Sequence, residues 1–404
     1  MGETGGSAAP TRAFLTIYVA WHPKFEQGAS LARHLYDHYR RNLYENVAGG
    51  TGIPVIYRSE APSGSAVPIA PDLEASETSA IVILVDKNWT EDPEWVAWAH
   101  RLSDQTDKAG LNARLFPVAM DTTAIGMEVA DQAARWDEWE KEKAPLEVKQ
   151  RRLLTSLSYQ FCRMLRHYLE RLKHPAEPDN DLLKYLRPVE VFLSHSKHDQ
   201  DKVGAAIALL IRSFLLNSAY EAFFDVFSIP LGLRFNKVLL EKVRVSAVVA
   251  IHTDSYSSRE WCRREIIEAK RANVPLVVAN CLHDVDERGF PYMANVPIIR
   301  MDPAKKDRLD VIICRLMDEV LKDFLWRCWT RLVALRAGPE TAFLPRPPEL
   351  IALAGLKERT PTPAVLVYPD PPIGAEEMTL FEAVVPTVKL LSATEFLAGA
   401  GGAA

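Results

Sequence analysis

Nowhere in the 404-residue chain does an apolar run approach the 18 or so residues that a membrane-crossing helix needs, which excludes an ordinary transmembrane span. The opening MGETGGSAAP has neither a basic cluster nor an apolar run, so it does not read as a secretory leader. It begins Met-Gly, yet Ser7 lies one place beyond the hydroxyl position of the myristoylation pattern. Cysteine is scarce. The five residues Cys162, Cys262, Cys281, Cys314 and Cys328 are odd in number and lack Cys-x-x-Cys spacing, so they argue against a closed disulfide framework and read as reduced, mostly buried thiols. Basic excess is missing too: the net charge of −5 offers no overall field for nucleic acid or an anionic membrane, with Lys305, Lys306 and Arg308 a local patch at most. The glycine-rich dinucleotide and P-loop patterns, H-E-x-x-H and G-x-S-x-G are all absent, and the histidines show no metal-ligand spacing. The expectation is a cytoplasmic protein with no metal and no cofactor.

What is present is ordinary globular composition, 48% apolar and 25% charged, in a chain long enough for two or three domains. Residues 1–12 are small and polar and are expected to be disordered. Strands are predicted at Phe14–Ala20, Ile53–Tyr57, Ala80–Val85 and Leu115–Ala119. Helices are predicted at Gln27–Arg41, where Leu31, Leu35 and Tyr39 recur every four residues, from Pro93, and over Asp131–Leu172 with a break near Ala144-Pro145. His174-Pro-Ala-Glu-Pro-Asp-Asn180 reads as a linker. The same order then repeats: strands Val189–Leu193, Ala222–Val226, Ala247–His252 and Pro275–Ala279, helices Val203–Leu216 and Arg259–Ala272, and a long closing helix over Asp307–Arg336. This alternation predicts an α/β fold of two consecutive parallel-sheet domains, 13–172 and 188–337, joined by 173–187. Nine of the 27 prolines fall between Pro339 and Pro372, so 338–404 reads as a Pro-rich extension or a partial third domain, with Ala364–Tyr368 as one strand.

Three features of the second unit bear on chemistry. Glu265 stands four residues after Trp261 and three after Cys262, on or beside the apolar stripe of its helix, while Arg263, Arg264 and Lys270 are expected to point toward solvent. A carboxylate at that edge is either a surface residue or one that pays desolvation for a purpose. The loop Phe227–Phe235 carries Pro230 and Gly232, which shape a defined excursion, and Ile229, Leu231 and Leu233, which an isolated loop would bury poorly; it is either an ordinary connection or a contact surface. Ser194, His195, Ser196 and His198 follow the first strand at the carboxyl end of the sheet, where parallel α/β sheets place ligands.

Val189–Asp199 (VEVFLSHSKHD), Phe224–Gly232 (FDVFSIPLG), Ser246 with its apolar strand, and Tyr256–Glu265 (YSSREWCRRE) together resemble the TIR (Toll/interleukin-1 receptor) domain family over 188–337. The resemblance implies a flavodoxin-like sheet and membership of a family of signalling scaffolds and NAD-cleaving enzymes. In catalytic members the glutamate of the Trp-Cys-x-x-Glu segment is essential, which here is Glu265. The resemblance further implies substrate contacts from Ser194, His195, His198, Phe227, Ile229, Arg234 and Trp261, and self-association through Ile229, Pro230, Leu231 and Gly232. The first unit resembles a degenerate copy: Glu94–His100 (EWVAWAH) aligns Trp95 with Trp261, but Val96 replaces the cysteine and Ala99 the glutamate.

The implied function is a TIR NAD+ hydrolase that cleaves the nicotinamide–ribose bond, releasing ADP-ribose or, in a cyclising variant, cyclic ADP-ribose. NAD+ is then the substrate. The expected partners are further copies of the chain, in a homo-oligomer or filament, and an activating signal; the expected setting is bacterial anti-phage defence. A non-enzymatic adaptor acting through TIR–TIR contacts is the alternative, and a nucleoside-processing relative with a similar sheet is the third.

Overall fold

The computed structural model describes residues 12–41, 52–128, 133–176, 188–197, 202–216, 224–226, 240–302, 308–334, 337–358 and 362–400. Among them the strands form three sheets in which every pairing is parallel.

The first unit comprises β1 (Thr16–Trp21), α1 (Gly28–Arg40), β2 (Val55–Arg58), β3 (Ser79–Val85), α2 (Lys87–Glu91), α3 (Pro93–Ala109), β4 (Ala113–Ala119), α4 (Trp136–Lys141) and α5 (Leu146–Lys173), with sheet order β2-β1-β3-β4. β3 is buried along its whole length because helices cover both faces, which is why it reads as an unbroken apolar run. Asp92 caps α3 by accepting from the backbone N–H of Glu94 (3.0 Å) and Trp95 (3.4 Å), with Pro93 at the first turn.

The second unit comprises β5 (Val189–His195), α6 (Val203–Leu216), β6 (Phe224–Val226), β7 (Ala247–His252), α7 (Glu260–Arg271), β8 (Leu276–Asn280), β9 (Ile298–Arg300) and α8 (Arg308–Val333). Its order, β6-β5-β7-β8-β9, is the flavodoxin-like one. The two units share a core. Leu157, Phe161 and Leu165 of α5 lie in one buried cluster with Ile313, Met317 and Leu321 of α8, and each such side chain contributes about 1.5–3 kcal/mol by leaving water. His38 Nε2 meets Asp318 Oδ1 at 2.9 Å across the same junction.

Residues beyond α8 build a third sheet from β10 (Thr341–Phe343), β11 (Val365–Tyr368) and β12 (Lys389–Ser392), interleaved with α9 (Leu350–Ala354), α10 (Ala375–Val384) and α11 (Ala393–Ala400). Ala342, Leu353, Leu366, Tyr368 and Leu390 give it a small core. This unit also corrects one expectation. Lys270 of α7 does not point to solvent: it is 6% exposed, and its ammonium pairs with Glu349 at 2.6 Å and donates to the Ala294 carbonyl, also at 2.6 Å. The Pro-rich segment folds over a helix face that an isolated second unit would leave wet.

Candidate active site

In an open parallel sheet the crevice forms where strand order reverses, outside the carboxyl ends of the strands. In the second unit that point lies between β5 and β7, which are paired with Ser194 opposite Ala250 and His195 opposite Ile251. Ser194 and His195 are the last two residues of β5 itself rather than loop residues. The 253–258 segment leaving β7 carries Tyr256 into the core, and α7 brings Glu265 back over the same end.

These elements converge on three side chains. Ser194 Oγ donates to Glu265 Oε2 at 2.5 Å and lies 2.5 Å from Tyr256 Oη. Because the single serine proton goes to the carboxylate, the tyrosine hydroxyl must donate to Ser194 Oγ. The result is a directed chain, Tyr256 to Ser194 to Glu265, aimed at one carboxylate oxygen. Glu265 is 8% exposed, with Cys262, Ile266 and Ala269 of the same helix in the core beside it. Burial pushes its carboxyl up to about 7; the Ser194 hydrogen bond and the charge of Lys197 pull the other way without cancelling that. Burial also raises the Tyr256 hydroxyl well above its ordinary range, helped by Cys262 and Glu265, so it stays protonated at neutral pH.

The surrounding loop is braced by polar contacts. Ser196 Oγ and Ser255 Oγ are 2.9 Å apart, and Arg263 donates to the Ser257 carbonyl at 2.9 Å. Asp286 Oδ2 receives Ser257 Oγ at 2.9 Å and faces His252 Nε2 at 2.9 Å. Ser257 Oγ also lies 3.2 Å from His252 Nε2, so the three groups close a ring that braces the loop. Burial raises the Asp286 carboxyl, but Ser257, the backbone N–H groups of Arg288 and Gly289, and His252 outweigh it, and the net direction is down.

Among the other residues expected at the site, His195 is half-buried with Nδ1 3.2 Å from the Ser196 carbonyl. Trp261 is half-buried at the start of α7, with the Arg264 guanidinium 4.3 Å above its ring. His198, Phe227, Ile229, Pro230, Leu231, Gly232 and Arg234 lie outside the described residues. Tyr256 is not among the residues expected at the site; its one sequence signal is an aromatic alone in the polar stretch Thr-Asp-Ser-Tyr-Ser-Ser, and the structure buries it fully. Among the described residues no group of three or more His, Cys, Asp or Glu could hold a metal ion.

The same end of the sheet in the first unit is built from different residues. Aligning Ser79 of β3 with Ser246 before β7 sets Ala20 of β1 at the place of Ser194 and Trp89 at that of Tyr256, and matching Trp95 with Trp261, one residue out of that register, sets Ala99 at that of Glu265. All three are fully buried in one apolar cluster. Trp89 packs edge-on against Trp95 (4.8 Å) and stacks on Trp98 (5.8 Å), so indole rings fill this region. Three positions that are polar in the second unit are apolar together in the first.

Residues 191–311 match the model of the TIR domain family, a stretch that contains Ser194, Tyr256 and Glu265. No curated protein matches the chain. Among solved structures it is similar to the tagatose-6-phosphate ketose/aldose isomerase from Escherichia coli, at 12% identity over 84% of this chain and 88% of that one, with a TM-score of 0.20. It is also similar to the C-terminal domain of glucosamine-fructose-6-phosphate aminotransferase from Francisella tularensis (12% identity, 76% and 83% covered, TM-score 0.17) and to the glycotransferase of kitacinnamycin (12%, 80% and 96%, TM-score 0.19). At such scores these likenesses carry no argument.

Proposed function

We propose, for a chain that carries a TIR domain over residues 191–311, that the Glu265 site cleaves the nicotinamide–ribose bond of NAD+. The observation that carries this reading is the buried Glu265 carboxylate with the Tyr256–Ser194 hydroxyl chain behind it at the switch point of the sheet. Nicotinamide leaves NAD+ as a neutral molecule: the bonding pair moves to the ring nitrogen and no acid is needed to protonate it. One carboxylate therefore suffices, where an ordinary glycoside requires two. The task left to the protein is to stabilise the positive charge growing on the ribose, and a fixed anion in a water-poor site does this well. Water then adds to the ribose carbon and loses a proton, and a carboxylate that titrates near 7 is matched to accept it at neutral pH. The products are nicotinamide, ADP-ribose and one proton; attack by an adenine nitrogen in place of water gives the cyclic product.

The chain of hydroxyls orients the Glu265 oxygen and spreads its charge. The first unit, with Ala20 and Ala99 at the corresponding places, is read as catalytically silent and as serving assembly or sensing. TIR domains associate with one another, and we take assembly of several copies to be the activating event, within an anti-phage defence role. Incubating the concentrated protein with NAD+ and separating the products by chromatography tests the reading; an absence of nicotinamide release sinks it.

A further inference from the structure

The carboxyl ends of β10, β11 and β12 open onto one cavity of about 530 Å3, walled on the far side by α8 and residues 295–297. Pro345–Pro347 follow β10, Pro369–Pro371 follow β11, and Ala393 follows β12, so the loop after each strand of this sheet contributes to the lining. That is where parallel α/β sheets hold ligands, and the volume lies within the roughly 300–1,000 Å3 of small-molecule sites. None of the Glu265 site residues lines it.

Its walls combine aromatic and cationic groups. Trp326, half-buried and stacked on Trp329 at 4.7 Å, supplies an aromatic surface. Arg346 supplies a guanidinium that among the described residues hydrogen-bonds the Val274 carbonyl and has further donors in its five-donor fork. Desolvation disfavours its charge, and the nearby carboxylates of Glu319, Asp323 and Glu349 offset part of that cost. Glu319 and Asp323 line the same wall already paired, Glu319 with Arg315 (3.1 Å) and Lys322 (3.4 Å) and Asp323 with Arg327 (2.7 Å), so Arg315 and Lys322 bring two more cations to the cavity. An aromatic platform beside a guanidinium, with Arg315 and Lys322 on the same wall, matches a base and a phosphate within one cavity of this size.

We propose that this cavity binds a nucleoside monophosphate, with its base against Trp326 and its phosphate on Arg346. The site also has a mechanical link to the Glu265 helix. Arg346 holds Val274, between α7 and β8, and three residues further on Glu349 holds Lys270, five residues beyond Glu265 on α7. A ligand that reorganises residues 345–349 acts on α7 through both bonds. This regulatory clause rests on the NAD+-cleavage reading; the binding clause does not.

The test is isothermal titration calorimetry of the full chain with adenosine 5′-monophosphate. Binding is expected in the wild type and in Glu265→Gln alike, weakened at least tenfold in Trp326→Leu and in Arg346→Lys, with inorganic phosphate much weaker than the nucleotide. Trp326→Leu keeps an apolar side chain on the core, so it reads the site even where Arg346→Lys fails to fold. No heat at millimolar nucleotide, unchanged affinity in Trp326→Leu, or loss of binding in Glu265→Gln would each overturn the proposal. Calorimetry needs no turnover, so a chain that binds the nucleotide without cleaving NAD+ upholds this inference and refutes only the catalytic one.

Discussion

Replacing Glu265 by glutamine is expected to stabilise the folded chain above neutral pH by removing a buried charge. Burial lifts the Glu265 carboxyl from its ordinary 4.5 to about 7. Below pH 4.5 both the folded and unfolded chains hold the proton and the site costs nothing. Between 4.5 and 7 the unfolded chain releases it while the folded chain does not, so stability falls as pH rises, and the full cost is present above 7. At about 1.4 kcal/mol per pH unit, that cost is about 3 kcal/mol at pH 8 and under about 1 kcal/mol at pH 5. Glutamine keeps an acceptor for Ser194 Oγ and carries no charge to desolvate. Thermal unfolding of both proteins at pH 5, 6, 7 and 8 should show the variant's advantage widening with pH, reaching roughly 5–10 °C at pH 8 for a unit of this size. A difference that stays constant across the series, or a wild type that is the more stable at pH 8, would refute the reasoning.

Other outcomes follow from the same contacts. Ser194→Ala removes the bond that lowers the Glu265 carboxyl, so the acidic limb of the activity–pH profile should move to higher pH, and the buried Tyr256 hydroxyl loses its acceptor at a cost of about 1–3 kcal/mol; an unmoved limb contradicts the hydrogen-bond assignment. Ala99→Glu places a carboxylate among Trp89, Trp95 and Trp98 with no serine beside it, and should lower the unfolding midpoint without adding turnover. Lys270→Met leaves Glu349 without its 2.6 Å partner and should destabilise by about 3–5 kcal/mol, with Lys270→Met plus Glu349→Met recovering most of that; chemical denaturation of the single and double variants decides it.

Long, strongly patterned elements were legible in the sequence. The bounds of α6 and β7 coincide with the predicted Val203–Leu216 and Ala247–His252, because each is a run whose apolar content only one element type accommodates. β9, β10 and β12 were not seen: at three or four residues they are too short for any period to register, and prolines flank β10. The site divides in the same way. Glu265 was marked by its place on an amphipathic helix and by a family resemblance, but its burial depends on Ser194, seventy-one residues away, and on Tyr256, which only the fold brings to it. Lys270 was misread because its face of α7 is covered by the third sheet, a contact that no local pattern encodes.

The central claim is that Glu265 breaks the nicotinamide–ribose bond once copies assemble. It is tested most directly by nicotinamide release per molecule of protein, measured over a range of protein concentrations for the wild type and Glu265→Gln. The account predicts release whose specific rate rises with wild-type concentration, and a loss of at least about 100-fold in a Glu265→Gln protein that remains folded. Turnover by the glutamine variant at the wild-type rate, or no release from the wild type at any concentration, would contradict it.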